Sequence, residues 1–383
     1  MEFVVLTKDE FHKIEDDFYN SNFYQTSEWA DIKEKNGWEP FYVGVKEKKK
    51  TVLICLLLAR TVLGRRFFYA PRGPVMDFSN KELLEFFIEN LKKFVKKNKG
   101  FVFKFDPYIE YQERDKYGEP VGVVKDEYYQ LFKKLGFTHR GFTRGYSDEA
   151  QFRWSYALDI KGKTFEDLLP DMDQRCRRCI RKCEKYPLEV FDVNDDNIKD
   201  FKDIMNHTAK RQEHFDRSIE YYKNLKKYLK DKVSMVVVCL NRKKYLEDFK
   251  DDKMYSEIEK LDVDYVPITA GVFIFDNDKF NYVYGGTYSY YMSFMAQYKM
   301  QVEMIKKAID KGLDKYDFGG ISGVFEPNTK NYGVYEFKRG FGGRVIEYIG
   351  EFDLVTDKVF YGMYKLGYWS YGKLKSIKSK LTK

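Results

Sequence analysis

The sequence predicts an α+β protein of two tandem units, each a mixed β-sheet flanked by helices. The chain has 383 residues, enough for two units of roughly 150–200 residues each. A Lys-x-Gly-Phe phrase occurs twice, at Lys134–Phe137 and at Lys338–Phe341. In each half an amphipathic helix, a strand, a loop and a short helix precede this phrase. The repeat therefore indicates a duplicated fold.

The first half predicts short elements that begin with a strand and two helices. Charged residues 46–50 separate two apolar runs and indicate a hairpin. Ser27 and Ser79 precede helical patterns, and serine is a preferred helix N-cap. We expect strands at Phe3–Leu6, Phe41–Val45, Thr51–Arg60, Phe67–Ala70 and Phe101–Phe105, and helices at Lys8–Tyr19, Ser27–Asn36, Ser79–Lys97 and Tyr128–Leu135.

The second half repeats this plan, with a charged insertion at Asn241–Asp264. The predicted domains are residues 1–150, joined by the C-terminal segment 353–383, and residues 151–352. Thr164 opens a helical segment. We expect strands at Tyr156–Ile160, Leu188–Val193, Ser234–Leu240, Ile268–Phe275, Asn281–Tyr284, Lys315–Phe318 and Val345–Phe352, and helices at Asp173–Lys185, Asp196–Arg211, Ile219–Lys230, Phe294–Lys311 and Tyr332–Lys338.

This order of elements is the plan of an acyl-CoA N-acyltransferase-like (GNAT-like) domain, so the predicted fold is two GNAT-like domains in tandem. The phrase that cradles the CoA pyrophosphate, [Q/R]-x-x-G-x-[G/A], is absent from both halves. Residues Ser79–Leu83 and Ser289–Ser293 stand where it would be needed. We therefore expect an acyltransferase fold that does not use CoA, and no bound cofactor.

The composition indicates a globular protein with an anionic partner. The net charge of +8 favours nucleic acid, a phosphorylated substrate or a membrane surface without choosing among them. The aromatic fraction of 18% mainly predicts core packing, although tyrosine also stacks on bases and sugars. Five cysteines without a signal peptide indicate a reducing cytoplasm. The apolar run Val52–Ala59 is too short to span a bilayer.

Six phrases occur in a fixed order over nearly the whole chain. They are Gln25-Thr26-Ser27-Glu28-Trp29 with Lys33, Tyr69-Ala70-Pro71-Arg72-Gly73-Pro74, Phe105-Asp106-Pro107, Arg217 with Tyr221, Tyr282-Val283-Tyr284-Gly285-Gly286, and Tyr335-Glu336-Phe337-Lys338-Arg339-Gly340-Phe341-Gly342. In order and spacing they resemble the FemABX family, the aminoacyl-tRNA-dependent transferases that build peptidoglycan cross-bridges.

The resemblance implies a cytoplasmic enzyme of cell wall synthesis. It would transfer an amino acid from charged tRNA to the side-chain amine of the third stem-peptide residue of a peptidoglycan precursor. It implies that Phe337 and Lys338 lie at the reacting centre, with Asp106 as a further catalytic candidate. The residues implied to hold the precursor are Lys33, Arg217, Tyr221 and Tyr284.

One departure concerns the coiled-coil arm that several family members carry, thought to help grip tRNA. Its place holds Asn241–Asp264, which is charged and too short for two heptad-bearing helices. The chain therefore resembles the armless members, and its tRNA-binding surface stays open.

The chemistry of ester aminolysis suits these residue types. A lysine ammonium is a compact cation that can stabilise an oxyanion or protonate a leaving oxygen. Lys338 is the candidate, although a solvated lysine at a helix C-terminus is the simpler interpretation of the sequence alone. Arg217 and Tyr221 are spaced i, i+4, so they share a helix face suited to a diphosphate.

The helix around Asp173–Lys185 carries two further patterns. Cys176, Cys179 and Cys183 are spaced like a metal clip, but this spacing is one helix face and more often packs in the core; we expect no metal. Arg175, Arg178 and Arg181 form a basic face that either contacts tRNA or is solvated. The basic, partly apolar tail from Lys373 to Lys383 is either a solvated terminus or a peripheral contact with the inner membrane surface.

The expected partners are aminoacyl-tRNA and a lipid-linked or UDP-linked precursor, and we expect a monomer. Two alternatives remain. One is another GNAT-like acyltransferase, using CoA or using charged tRNA with a protein acceptor. The other is a non-catalytic module that binds wall precursor or tRNA.

Overall fold

The computed structural model describes residues 1–146 and 151–367. In these ranges the chain forms two mixed eight-stranded sheets flanked by helices. The α+β prediction is therefore confirmed. The first half follows the predicted GNAT-like order of strand, two helices, antiparallel strands, helix, strand, helix and strand, with one extra short strand before its last helix. In the second half two long helices and the charged insertion interrupt the antiparallel strands. None of the described helices combines the length and apolar character that crossing a membrane would require.

The first half contains eight strands and four α-helices. The strands are β1 (Glu2–Leu6), β2 (Glu39–Glu47), β3 (Lys50–Val62), β4 (Arg65–Arg72), β5 (Val75–Met76), β6 (Gly100–Pro107), β7 (Glu110–Glu113) and β8 (Thr138–His139). The helices are α1 (Lys8–His12), α2 (Ser27–Glu34), α3 (Lys81–Lys97) and α4 (Asp126–Lys134).

The second half is longer because it also holds the charged insertion. Its strands are β9 (Trp154–Asp159), β10 (Leu188–Asp192), β11 (Val233–Asn241), β12 (Tyr265–Phe275), β13 (Lys279–Thr287), β14 (Lys315–Ile321), β15 (Arg344–Tyr348) and β16 (Phe352–Val355). Its helices are α5 (Phe165–Leu168), α6 (Gln174–Cys183), α7 (Ile198–Arg211), α8 (Ile219–Leu229), α9 (Arg242–Asp248), α10 (Tyr255–Glu259), α11 (Ala296–Asp310) and α12 (Tyr332–Arg339). Residues 358–367 are also helical.

Two strands are exchanged between the halves. The first sheet has the order β1-β2-β3-β4-β6-β16-β8, with β5 on β3, and the second has the order β10-β11-β12-β13-β14-β9-β15-β7. Strand β7 of the first half pairs with β15 at the edge of the second sheet. Strand β16 follows β15 but lies between β6 and β8. Each sheet therefore contains one strand from the other half of the chain.

The predicted single strand Val345–Phe352 is wrong, because the chain changes sheets within it. Strand β15 ends at Tyr348 and β16 begins at Phe352. Between them Gly350 has a φ of 95°, a conformation that glycine adopts without steric strain. This turn lets two short apolar strands of one continuous pattern enter different sheets.

The N-caps of two helices in the first half lie one residue away from the predicted positions. Thr26, not Ser27, caps α2, and its hydroxyl accepts a hydrogen bond from Trp29 N at 3.2 Å. Asn80, not Ser79, caps α3 through Leu83 N at 3.0 Å. The first helix ends at His12 rather than Tyr19, and a 3₁₀ turn follows it. In both caps an equally suitable residue next to the predicted one makes the bond.

Each sheet has one parallel strand pair at its centre, and the two pairs differ in length. In the first sheet β4 and β6 pair from Arg66–Gly100 to Arg72–Pro107. In the second sheet β13 and β14 pair only over Lys279–Asn281 and Lys315–Asp317. Beyond those residues each strand continues without pairing with the other.

An apolar core joins the two halves. It contains Ile54 and Leu56 of the first sheet together with Ile204 of α7, Tyr222 of α8 and Val272 of the second sheet. Helix α2 packs against α8 across this core. Burial of this much apolar surface fixes the halves relative to each other, so side chains from both can build one site.

Candidate active site

The four residues predicted to hold the precursor come together where α2 meets α8. Lys33 lies on α2, Arg217 just before α8, Tyr221 on α8 and Tyr284 on β13. The hydroxyl oxygens of Tyr221 and Tyr284 are 3.2 Å apart. The Arg217 guanidinium lies 5.5 Å from the Tyr221 ring centre, and Lys33 Nζ lies 4.5 Å from the Trp29 ring centre. We call these four residues the α2–α8 cluster.

The α2–α8 cluster concentrates positive charge. Burial, together with the charges of Arg217 and Arg60, lowers the pKa of Lys33 to about 8. An anion that binds between such cations reduces their mutual electrostatic repulsion. With two tyrosine hydroxyls beside them, the cluster is suited to a phosphate or diphosphate group.

Lys338 is a buried lysine in the last turn of α12. Its residue exposure is 6%, and its Nζ donates to Gly319 O at 3.1 Å and to Gly320 O at 2.7 Å. Burial lowers the pKa of Lys338 to about 7, although the Asp317 carboxylate opposes this shift. Near neutral pH this side chain can therefore exist both as an ammonium and as an amine.

Phe337 points to a different side of α12 from its neighbour. Its ring packs against Tyr298 of α11 and Phe341, with ring centres 5.1 and 5.4 Å away. Lys338 instead faces β14. Phe337 thus anchors α12 on α11 and leaves the lysine directed at the end of the short parallel strand pair.

Asp106 is a buried carboxylate whose two oxygens accept hydrogen bonds from its surroundings. Oδ2 accepts from Tyr69 Oη at 2.7 Å and from Gln151 N at 3.0 Å, and Oδ1 accepts from Arg72 N at 2.8 Å. Its exposure is 2%. In this arrangement the carboxylate fixes the end of β4 and the start of the segment that leads into β9.

Arg72 is a site residue that the sequence analysis quoted without giving it a role. Its side chain is buried, its Nη2 donates to Phe152 O at 2.6 Å, and its guanidinium lies 4.4 Å from the Tyr348 ring centre. The sequence signal was an arginine between two prolines at the end of an apolar strand. The fixed φ angles of the two prolines restrict the path of the backbone on either side of this arginine.

Phe152 connects this arginine to Lys338. A methyl group added to Gly320 would lie 2.9 Å from Phe152 Cγ, so ring and backbone are in close contact. Gly320 is also the closer of the two carbonyls that hold Lys338. Asp106, Arg72, Phe152 and Lys338 therefore form a continuous line of contacts from the first sheet to the second.

The three arginines predicted as a tRNA contact lie exposed on α6. Arg175 pairs with Glu336 at 3.2 Å, whereas neighbouring Arg177 turns back to donate to Met172 O at 2.9 Å. Arg175 and Arg178, but not Arg181, line a cavity of about 660 Å³ at the start of α11. The rest of the lining is Cys179, Lys182, Lys253, Met254, Ser289, Tyr290, Met292, Ser293, Met295, Gln297 and Tyr298. We call this space the α6–α11 cavity.

Aromatic rings lie at the rim of the α6–α11 cavity. Tyr290 is 55% exposed and stacks on Tyr288, with ring centres 5.0 Å apart and planes within 20°. His207 contacts both rings. The sequence analysis missed these tyrosines because their spacing follows a 3₁₀ turn, Ser289–Phe294, rather than a regular helix or strand.

The three cysteines of α6 are buried in the core of the second half. Burial raises the pKa of Cys183 to about 12 and that of Cys176 above its usual range. Neutral thiols pack as small apolar groups. Over the described ranges, the one cluster with metal-ligand geometry is His12, Glu15 and Glu28. The expectation that no metal binds stays a prediction, and the tail lysines from Lys373 onward lie outside the described residues.

Comparison with known proteins identifies relatives over nearly the full length. The FemAB family model matches residues 6–265 and 252–368. Aminoacyltransferase FemA of Staphylococcus aureus strain bovine RF122 / ET3-1 is 31% identical over 409 residues, which span 95% of this chain and 97% of that protein. FemA of strain NCTC 8325 / PS 47 gives the same identity and coverage.

A solved structure with the same fold is the crystal structure of FemX. It superposes with a TM-score of 0.81 and 24% identity, covering 95% of this chain and 99% of that one. The tandem arrangement of the two sheets is thus shared with a measured structure.

Proposed function

The chain belongs to the FemAB family, and we propose that this aminoacyltransferase moves an amino acid from aminoacyl-tRNA to the side-chain amine of the third stem-peptide residue of a peptidoglycan precursor. The observation that carries the proposal is the position of Lys338. A buried lysine of lowered pKa lies at the end of the short parallel strand pair, in a line of contacts that reaches the first sheet.

The α2–α8 cluster would bind the precursor through its diphosphate. Arg217 supplies a planar donor fork, Lys33 a point charge, and the two tyrosines neutral donors. Because Lys33 belongs to the first half and Arg217 to the second, the bound diphosphate would bridge both halves.

The α6–α11 cavity would bind the unpaired 3′ end of tRNA. Arg175, Arg178, Lys182 and Lys253 supply positive charge for successive phosphates. The exposed Tyr290 face supplies a surface on which a base can stack, supported from behind by Tyr288. No coiled-coil arm is needed for contacts of this kind.

The reaction then needs one positioned proton donor. The acceptor nitrogen attacks the ester carbonyl, a C–N bond forms, and the C–O bond to the ribose breaks. The nitrogen loses a proton and the ribose oxygen gains one. As an ammonium, Lys338 would stabilise the oxyanion and give its proton to the leaving oxygen; as an amine it would recover a proton from the attacking nitrogen. Asp106, with both oxygens already bonded, would position Arg72 and Gln151 rather than transfer protons.

Incubation with a mixed charged-tRNA pool and a lysine-containing precursor tests the proposal. We expect mass spectrometry to detect a gain of one amino-acid residue that ribonuclease treatment abolishes. Running UDP-linked and lipid-linked precursors in parallel identifies the acceptor form. A gain that depends on acyl-CoA instead would favour the CoA-using alternative, and tight precursor binding without any mass gain would favour a non-catalytic module.

A further inference from the structure

Asp317 is a buried carboxylate directly beside the groups that hold Lys338. Its exposure is 2%, and its Oδ1 accepts from Ser155 Oγ at 2.5 Å and from Gly319 N at 2.7 Å. Gly319 has a φ of 74°, and a methyl group added there would lie 2.6 Å from Tyr282 O. The carboxylate therefore closes a tight bend that only glycine fits.

The bend directs two backbone carbonyls at the lysine. Gly319 O and Gly320 O are the acceptors for Lys338 Nζ, and their direction follows from the bend at Gly319. Both acceptors are neutral. The negative charge that acts on this ammonium is that of Asp317, which raises the pKa of Lys338 against the effect of burial.

The neighbouring charged and titratable groups of the packed elements have other partners. Helix α12 packs against β14 and β9. On β9 the Tyr156 ring contacts Tyr335, and on α12 Arg339 pairs with Asp173. Glu336, also on α12, pairs with Arg175. Asp317 is thus the carboxylate through which β14 reaches the buried lysine.

We propose that Asp317, held by Ser155, is a positioning residue for the transfer reaction: it shapes the bend whose carbonyls hold Lys338 and supplies the negative charge that favours the ammonium form of this lysine. The inference rests on the proposed function of Lys338 for its effect on catalysis, but not for its effect on the lysine itself. Ser155 lies on β9, the strand that pairs with β14 in the second sheet, so its hydroxyl reaches Asp317 from the neighbouring strand.

The test compares Asp317→Asn with Asp314→Asn, which removes a half-buried carboxylate that pairs with Lys161 just before the same strand. Asparagine keeps the shape of Asp317 and removes its charge. The ¹³Cε resonance of Lys338, assigned with Lys338→Met, reports the pKa of Lys338 directly. We expect Asp317→Asn to lower this pKa by at least about half a unit and Asp314→Asn to leave it unchanged. An unchanged pKa in Asp317→Asn overturns the inference.

The activity arm separates this inference from the proposed function. If protonated Lys338 drives transfer, the high-pH limb of kcat should move to lower pH in Asp317→Asn, while KM for the precursor stays within about twofold. A shifted resonance with an unmoved limb would support the positioning of the lysine and contradict its catalytic role. Should Asp317→Asn fail to fold, Ser155→Ala is expected to give a smaller shift in the same direction, and Ser155→Thr to restore it.

Discussion

The two Lys-x-Gly-Phe phrases show how a duplicated fold became asymmetric. Lys134 in the first half has a side chain that is 75% exposed and pairs with Glu85 at 3.3 Å. Lys338 in the second half is buried against two backbone carbonyls. The same phrase at the end of the corresponding helix thus gives an exposed lysine in one half and a buried lysine of lowered pKa in the other.

The parallel strand pairs of the two halves are also asymmetric, because the pair in the second half is shorter. The β4–β6 pair stays hydrogen-bonded to the ends of both strands, whereas the β13–β14 ladder stops after Asn281 and Asp317. Backbone groups beyond that point are free to bend, and the bend at Gly319 supplies the carbonyls that hold Lys338. The longer ladder keeps β4 and β6 paired to their ends, whereas the shorter one leaves room for the bend beside Lys338.

The largest expected effect on turnover comes from substituting the two lysines. Lys338→Met should lower kcat by about 100-fold or more, because it removes the proton donor and the charge at the oxyanion. Lys134→Met is the matched control and should keep wild-type turnover. Single-turnover transfer assays with both purified variants measure the difference. Equal loss in both variants would mean that the copies are equivalent.

Loss of the diphosphate contact should come next in size. Arg217→Ala removes a charge-assisted contact and should raise KM for the precursor roughly 10-fold or more with little change in kcat. Lys227→Ala removes an exposed charge from α8, the helix that follows Arg217, and serves as the control. Lys33→Ala should weaken precursor binding in the same way from the first half. Isothermal titration with the precursor would refute the role if Arg217→Ala bound as tightly as the wild type.

The two lysines should contribute to the free energy of unfolding with a different pH dependence. Burial lowers the pKa of Lys338 to about 7 from 10.5, so between those values the unfolded chain binds more protons there than the folded chain. The free energy of unfolding contributed by this residue therefore rises with pH, by roughly 1 kcal/mol per pH unit. Urea unfolding from pH 7 to 9 should show this slope in the wild type and in Lys134→Met.

The same series in Lys338→Met should lack that part of the slope. The difference between wild type and Lys338→Met is the quantity to compare, since all other groups titrate equally in both. A difference that stays constant over the pH range would show that Lys338 is not buried as described.

The smallest expected effect concerns the α6–α11 cavity. Arg178→Ala should raise KM for aminoacyl-tRNA a few-fold and reduce the salt dependence of tRNA binding by a slope of about 0.7–0.9. Lys81 lies at the start of α3, the first-half helix that corresponds to α11. Lys81→Ala should change neither the KM for aminoacyl-tRNA nor the salt dependence of tRNA binding. Filter binding at several salt concentrations measures both. An equal loss in Lys81→Ala would place the tRNA on the wrong half.

Most of the fold could be predicted because its signals are local. Apolar periodicity located α3, α7, α8, α11 and α12 to within a few residues. The entry of the four-residue strand β7 into the second sheet could not be predicted, since so short a strand carries no information about which sheet it joins. The domain boundaries at 150 and 353 remain a prediction.

The site was predictable only in part. The resemblance to the FemABX family indicated Lys338, Arg217, Tyr221, Tyr284 and Lys33, and the structure brings the last four together. The role of Arg72 depends on Phe152 and Tyr348, which are distant in sequence, so no spacing rule reveals it. The bend held by Asp317 likewise depends on Ser155, 162 positions away.

The measurement that tests the asymmetry most directly is hydrogen–deuterium exchange with a donor analogue. A tRNA whose terminal ribose carries the amino acid through a stable amide binds without reacting. We expect the analogue to slow exchange in residues 289–298 and 319–324 of the second half. Exchange in residues 77–86 of the first half, which correspond to 289–298, should stay unchanged. Protection of 77–86 without protection of 289–298 would contradict the account.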